Sequence, residues 1–297
     1  MSQRGKPGYN GERLWINPIG GYGDMLMVSG VLKLVVDSCR EAQFNLVRRT
    51  KYLTFLKGHP AIAEIGYPPK DAMLVATDYW AQERLGEKNQ RAFQIIARTF
   101  GLETPVEEGL YVPWAWDKDE DPLLLKMIPW KKKNVLIAPS SDSPRKVMLP
   151  QLWHQLVEKL NADGFFVLQA GRLRDIHIRN AYSALGLTTP RQIIALLRRF
   201  DVIITPDNFI MHAAHLVGAS AVVLWGPTRP EVYGYPRQTH LQGQRPCEST
   251  EETDCIDPAR NRGVGVYGTP CPMGKDHCMN KISVERIFEA VREKVEG

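Results

Sequence analysis

Four short segments carry residue types that could do chemistry. In Gly20-Gly21-Tyr22-Gly23-Asp24, glycines and a carboxylate stand between an apolar run at 13–17 and an apolar helical run from 24 to about 38. Glycines let a backbone approach a ligand closely, and the amides that open a helix favour anions. Asp24 therefore reads two ways, as a cap for the helix or as a catalytic carboxylate. The segment is not the dinucleotide fingerprint, because Leu26 stands where G-x-G-x-x-G needs its third glycine.

The second segment is Pro139-Ser140-Ser141-Asp142-Ser143-Pro144-Arg145-Lys146. Small hydroxyl residues, a turn and two cations could grip a phosphate, with Arg145 offering a planar fork and Lys146 a point charge. An exposed loop with ordinary charges accounts for it equally well. The third segment is Pro206-Asp207-Asn208-Phe209, where an apolar run gives way to a helical one. Asp207 is expected to organise the turn, while the amides of Asn208 and Phe209 point at a phosphate. His212 and His215 follow at i, i+3 without the carboxylate of an H-E-x-x-H site, so no metal is expected there. His215 reads as packing and His212 as the ring that faces a ligand.

The fourth segment holds Cys247, Cys255, Cys271 and Cys278. Such a cluster in a reduced compartment points to metal rather than disulfides, although the tight C-x2-C pairs of zinc ribbons are absent. Four thiolates suit zinc or iron and would close the coordination sphere, which makes the role structural. Four reduced, partly buried thiols are the plainer alternative. Cys39, at the end of the first helical run, is expected to be buried.

These segments need elements to position them. Strand-like runs at 13–17, 44–48 and 72–77 alternate with helical patterns at 24–38, 51–57 and 80–100. Residues 111–133 break the rhythm with an acidic run, a short helix and Lys131-Lys132-Lys133, which reads as a solvated linker. A second alternation follows, with strands at 134–138, 165–170, 202–205 and 221–225. Its helices lie at 150–162, 174–185, 190–199 and 208–217, and an amphipathic one closes the chain at 283–295 with Ile287, Val291 and Val295 on one face. The pattern implies an α/β protein of two doubly wound domains, 1–122 and 123–297, each with a parallel sheet.

The 297 residues, 43% hydrophobic, suffice for packed cores and argue against disorder. No apolar run approaches the length of a membrane span, and the opening MSQRGKPGYNGE lacks the apolar core of a secretory signal, so a cytoplasmic protein is expected. A net charge of +5 is too small and scattered to imply nucleic acid.

The motifs, taken in order, resemble glycosyltransferase family 9, the heptosyltransferases of lipopolysaccharide assembly and their relatives. The resemblance rests on Gly20 to Asp24 and its helix, and on the 140–146 loop followed by Leu149-Pro150-x-x-Trp153. It also rests on Pro206-Asp207 with His212, on Trp225-Gly226-Pro227-Thr228-x-Pro230, and on the tail Cys271-Pro272-x5-Cys278-Met279-x2-Ile282-Ser283-Val284. It implies a GT-B arrangement, two Rossmann-like domains with a cleft between them, the C-terminal one holding a nucleotide sugar and the N-terminal one the acceptor. It implies inverting, metal-independent transfer with Asp24 as the catalytic base. Gly23, Ser140, Ser141, Arg145, Lys146, Asp207, Asn208, Phe209 and His212 would then bind the nucleotide-diphosphate sugar, ADP-heptose or a similar ADP-sugar. The acceptor would be a glycan, a glycolipid or a protein hydroxyl, with at most peripheral membrane contact and no cofactor for catalysis. Some protein-modifying relatives bind iron through cysteines, which places iron beside zinc. The chain departs from the family at Asp207-Asn208-Phe209, where Asp-Thr-Gly is usual, and at Gly30, where proline is frequent. Phe209 motivates a rival reading as a nucleotide-sugar binder without turnover, and the cysteines motivate a metal-bearing interaction module on an α/β scaffold.

Overall fold

The computed structural model describes residues 14–79, 90–244 and 270–296. The chain divides into two compact units, Met1–Trp114 and Ala115–Gly297.

In the first unit the described elements are β1 (Leu14–Asn17), α1 (Tyr22–Ser38), β2 (Phe44–Val47), β3 (Ile62–Gly66), β4 (Met73–Ala76) and α2 (Ala92–Thr99). The strands form a parallel sheet in the order β3-β2-β1-β4. Because β1 pairs with β4, the chain leaving β4 emerges beside the glycine loop that follows β1. Apolar residues occupy most of α1, and Met25, Leu26, Val28, Val31 and Leu32 are fully buried. Each such side chain contributes roughly 1.5–3 kcal/mol on removal from water. Gly30 lets the helix touch a neighbouring backbone, since a Cβ there would collide with the carbonyl oxygen of Gly109.

The second unit runs α3 (Pro122–Met127), β5 (Asn134–Ile137), α4 (Pro150–Ala162), β6 (Phe166–Gly171), β7 (Tyr182–Leu185), α5 (Pro190–Leu197) and β8 (Val202–Pro206). It continues with α6 (Phe209–Leu216), β9 (Ala221–Trp225), α7 (Pro230–Tyr233), β10 (Thr239–Gln242) and α8 (Val284–Glu296). Its strands are parallel in the order β10-β9-β8-β5-β6-β7. β5, β8 and β9 are buried along their whole length, as expected of a sheet covered on both faces. Trp153, Leu156 and Leu160 of α4 and Ile287 and Val291 of α8 pack into one core, with Val295 against its margin. Thr189 and Gln192 form a reciprocal cap on α5, whose first residue is Pro190. Ser283 Oγ accepts from the Arg286 amide at the start of α8.

Several expectations are corrected. Residues 51–57 hold one 3-10 turn, Leu53–Phe55, and Gly58 in the left-handed region (φ 80°) ends it. No helix spans 174–185. Instead the Gln169 carboxamide donates to the Ile176 carbonyl and accepts from the Ile178 amide, Asn180 turns the chain at φ 64°, and β7 follows. The strands β3 and β10 are additions to the sequence reading. Cys39 caps α1 as an exposed residue rather than a buried one. The boundary between units falls after Trp114 rather than at 122, because the acidic run is tied into the second unit. Arg191 bonds Asp119 at 3.0 and 3.2 Å, Arg199 bonds Glu120 at 2.6 and 2.8 Å, and Gln192 donates to Asp121. Among the described residues no helix is long and apolar enough to cross a membrane.

Candidate active site

The candidate residues gather at the carboxyl edges of the two sheets.

In the first unit, β1 ends at Asn17 and the glycine loop turns into α1. Asp24, in the first turn, folds its carboxylate back so that Oδ2 accepts from the Gly21 amide at 2.7 Å. Glycine supplies no side-chain acceptor in return, so only half of a capping box is present. Gly20 adopts φ 114°, and a Cβ there would collide with Asp24 Oδ2. Its identity therefore follows from the folded-back carboxylate. The second oxygen, Oδ1, accepts from the Tyr79 hydroxyl at 3.0 Å. Just before Tyr79, Thr77 Oγ1 accepts from the Ile19 amide at 3.0 Å and fixes the loop to the end of β4. Asp24 is half-buried, with both oxygens oriented by partners. It is a cap and a positioned carboxylate at once. Tyr79 and Thr77 were missed in the sequence. Their one signal is position, directly after a strand that pairs with β1.

In the second unit, the loop after β5 and the end of β8 are clipped together. Asn208, the N-cap of α6, accepts at Oδ1 from the Ile210 amide (2.8 Å) and the Thr205 hydroxyl (2.9 Å). Its Nδ2 donates to the Ser140 carbonyl at 2.7 Å, and Ser141 Oγ donates to the Asp207 carbonyl at 3.3 Å. Asn208 thus organises the turn, the task expected of Asp207. The Asp207 carboxylate instead pairs with Lys146 Nζ at 3.2 Å, and both residues are buried. Removing one partner of such a pair leaves a buried charge uncompensated, which costs about 3–5 kcal/mol. Arg145 and Phe209 are half-buried beside this pair in sequence, as are Ser140 and Ser141, while Gly23 lies in the first turn of α1.

The His212 ring, expected to face a ligand, is buried and lies 2.7 Å through Nδ1 from the Tyr235 hydroxyl. Burial is the main reason its pKa falls from 6.5 to about 4; nearby Lys146 and His215 act in the same direction and Asp207 opposes them. His212 is therefore neutral near neutral pH. His215 packs as expected, its ring stacked on Tyr235 at 3.8 Å. Tyr235, also missed in the sequence, is held from several sides. Its amide donates to Gln238 Oε1, and its carbonyl bonds His240 Nε2, whose other nitrogen accepts from Trp225 Nε1 at 3.0 Å.

Of the cysteines, Cys247 and Cys255 lie outside the described residues. Cys271 is half-buried, and Cys278 is buried against the turn after β9, where a Cβ on Gly226 would sit 3.0 Å from its Sγ. Among the described residues no three potential ligands converge on a metal position.

A sequence model described as glycosyltransferase family 9 (heptosyltransferase) matches residues 54–259, more than half of the chain. Solved structures share the fold at low identity. One is a family 9 glycosyl transferase from Veillonella parvula, with a TM-score of 0.67 at 12% identity, covering 96% of this chain and 98% of that one. The E. coli ADP-heptose lipopolysaccharide heptosyltransferase II gives 0.64 at 13% identity over 96% and 98% of the two chains. An iron-containing dodecameric glycosyltransferase from enterotoxigenic E. coli gives 0.65 at 16% identity over 96% and 76%. No curated protein matches the chain. The fold is accordingly that of the GT-B glycosyltransferases, two α/β domains with a parallel sheet in each.

Proposed function

The chain belongs to glycosyltransferase family 9, and from that premise we propose that it transfers heptose from ADP-heptose to an acceptor hydroxyl, with inversion and without a catalytic metal. The observation that carries the reading is the Asp24 carboxylate, oriented through one oxygen by the Gly21 amide and through the other by Tyr79. The matched span begins after Asp24, so this assignment rests on that geometry and on the motif around it.

In the proposed reaction Asp24 takes the proton of the acceptor hydroxyl as its oxygen attacks the anomeric carbon. The bond from that carbon to the distal phosphate oxygen breaks, and ADP leaves with the electron pair. Lys146, fixed by Asp207, and the amides that open α6 meet the developing charge of the leaving diphosphate. A single carboxylate base with no carboxylate nucleophile gives inversion. Asn208 holds the two phosphate-facing loops together, and Phe209 occupies the position where a smaller residue would let a phosphate closer to the backbone. Relatives named for ADP-heptose support the donor, and the acceptor is a glycan, glycolipid or protein hydroxyl. A thiolate-bound zinc or iron at the four cysteines belongs to the same proposal as a structural element, with no part in the transfer.

The test pairs turnover with binding. Asp24→Asn is expected to abolish transfer from ADP-heptose while ADP still binds by calorimetry. Lys146→Met is expected to weaken ADP binding by tenfold or more. Full turnover in Asp24→Asn, with the fold intact, would sink the base assignment. Selective binding of UDP or GDP over ADP would overturn the donor.

A further inference from the structure

The lysine triplet ahead of β5 has no part in the proposed transfer, and its setting differs from that of a solvated linker. It closes the sequence Leu123-Leu124-Leu125-Lys126-Met127-Ile128-Pro129-Trp130-Lys131-Lys132-Lys133. The helix α3 at its start buries Leu124, and Ile128 just beyond it is buried too. Leu123 and Met127, one turn apart on the other face, are left 73% and 54% exposed, and Trp130 is 42% exposed. Lys126, Lys131, Lys132 and Lys133 are exposed around them. The segment leads into the amino end of β5, whereas the phosphate-facing loops leave the carboxyl end of the same sheet. Lys131 to Lys133 therefore lie at the opposite edge from the candidate donor site.

From this edge we infer that residues 123–133 form a docking surface for a bilayer bearing anionic headgroups. Charge complementarity favours that occupant. Three of the four carboxylates in the preceding run, Asp119, Glu120 and Asp121, are consumed by Arg191, by Arg199, and by the α3 cap together with Gln192. The lysines keep their positive field, and among the described residues Lys126, Lys131 and Lys132 make no ion pair. Lys133 lies over the Phe165 ring at 5.7 Å. Clustered lysines draw such a segment to a negatively charged leaflet, and the attraction fades with salt.

The apolar side chains distinguish a bilayer from other polyanions, because Leu123 and Met127 offer nothing to a phosphodiester backbone but can enter the acyl boundary. Trp130 has the two-ended character suited to that depth. Its Nε1 is bonded to the Leu125 carbonyl at 2.9 Å and its ring meets Phe200 edge-on at 6.1 Å, so the exposed remainder is held rigidly outward. A second copy of this chain would bring lysines against lysines.

The experiment is co-sedimentation of the full chain with vesicles of phosphatidylcholine alone and of phosphatidylcholine with phosphatidylglycerol. The chain is expected to pellet with the anionic vesicles only, and to be released as salt rises. Lys131→Glu with Lys132→Glu, and separately Leu123→Ser with Met127→Ser, should each lower the bound fraction at least tenfold while ADP binding stays as it was. Equal partition onto both vesicles, or loss in neither double variant, overturns the inference. Two further outcomes overturn it as well. One is binding to heparin but not to vesicles, insensitive to the apolar pair. The other is self-association that the apolar pair abolishes without any vesicle binding.

Discussion

His59 gives the first unit a stability that depends on pH, with a sign fixed by two hydrogen bonds. Its Nδ1 accepts from the Ala61 amide at 3.0 Å, so the proton of the neutral ring sits on Nε2, which donates to the Ser29 carbonyl at 3.0 Å in the middle of α1. Protonation would add a hydrogen at Nδ1, opposite a donor, inside the core. Burial, the largest cause, and the nearby Lys33 hold its pKa down, from 6.5 to about 4, against the opposing effect of the Ser29 bond. A folded value below the unfolded one means that the stabilisation is complete above pH 6.5 and is lost as the pH falls from 6.5 towards 4. Linkage puts the loss at roughly 2 kcal/mol by about pH 5, approaching roughly 3.4 kcal/mol once both states are protonated. The perturbation that isolates it is His59→Gln, which cannot titrate. Urea unfolding of both proteins should give free energies whose difference narrows by roughly 2 kcal/mol between about pH 7.5 and pH 5. His212 shifts in the same direction in the second unit, but it is present in both proteins and cancels. Free energies that run parallel across that range would refute the tautomer and the burial argument together.

Gly30→Ala should destabilise the first unit by about 1–3 kcal/mol, read as a lower Tm, because its Cβ would meet a backbone carbonyl that cannot swing aside. An unchanged Tm would show that α1 and residue 109 are not in contact. Elemental analysis of the purified protein should find zinc or iron. Cys271→Ser should release it and lower the Tm, whereas metal-free protein of unchanged Tm would dispose of the structural-metal proposal.

The parts of the fold visible in the sequence are those set by local signals. The apolar run at Ala221–Trp225 and the proline-started helix Pro150–Ala162 have the bounds expected of them, because burial on both faces and a proline at the first helical position each mark the sequence locally. The segment 174–185 departs from the helix expected of it because its determinants are not contiguous. A helical spacing of apolar residues is overruled by Gln169, which reaches from β6 to satisfy the loop's backbone. The same division runs through the candidate site. Asp24, Lys146 and Asp207 could be named because parallel strands send every following loop to one edge, and polar residues just after an apolar run stand out. Their partners could not, because Tyr79 lies 55 residues from Asp24 and Asp207 lies 61 from Lys146. Strand order joins them. β4 inserts beside β1 and β8 beside β5, so the residues leaving each pair of neighbours face one another. The exchange of roles between Asp207 and Asn208 has the same origin. Both side chains suit a cap, but only the carboxamide can also donate to the Ser140 carbonyl across the sheet edge, and that leaves the carboxylate for the lysine. A reading that placed the strands in order before assigning the polar residues would recover these pairs from the same letters.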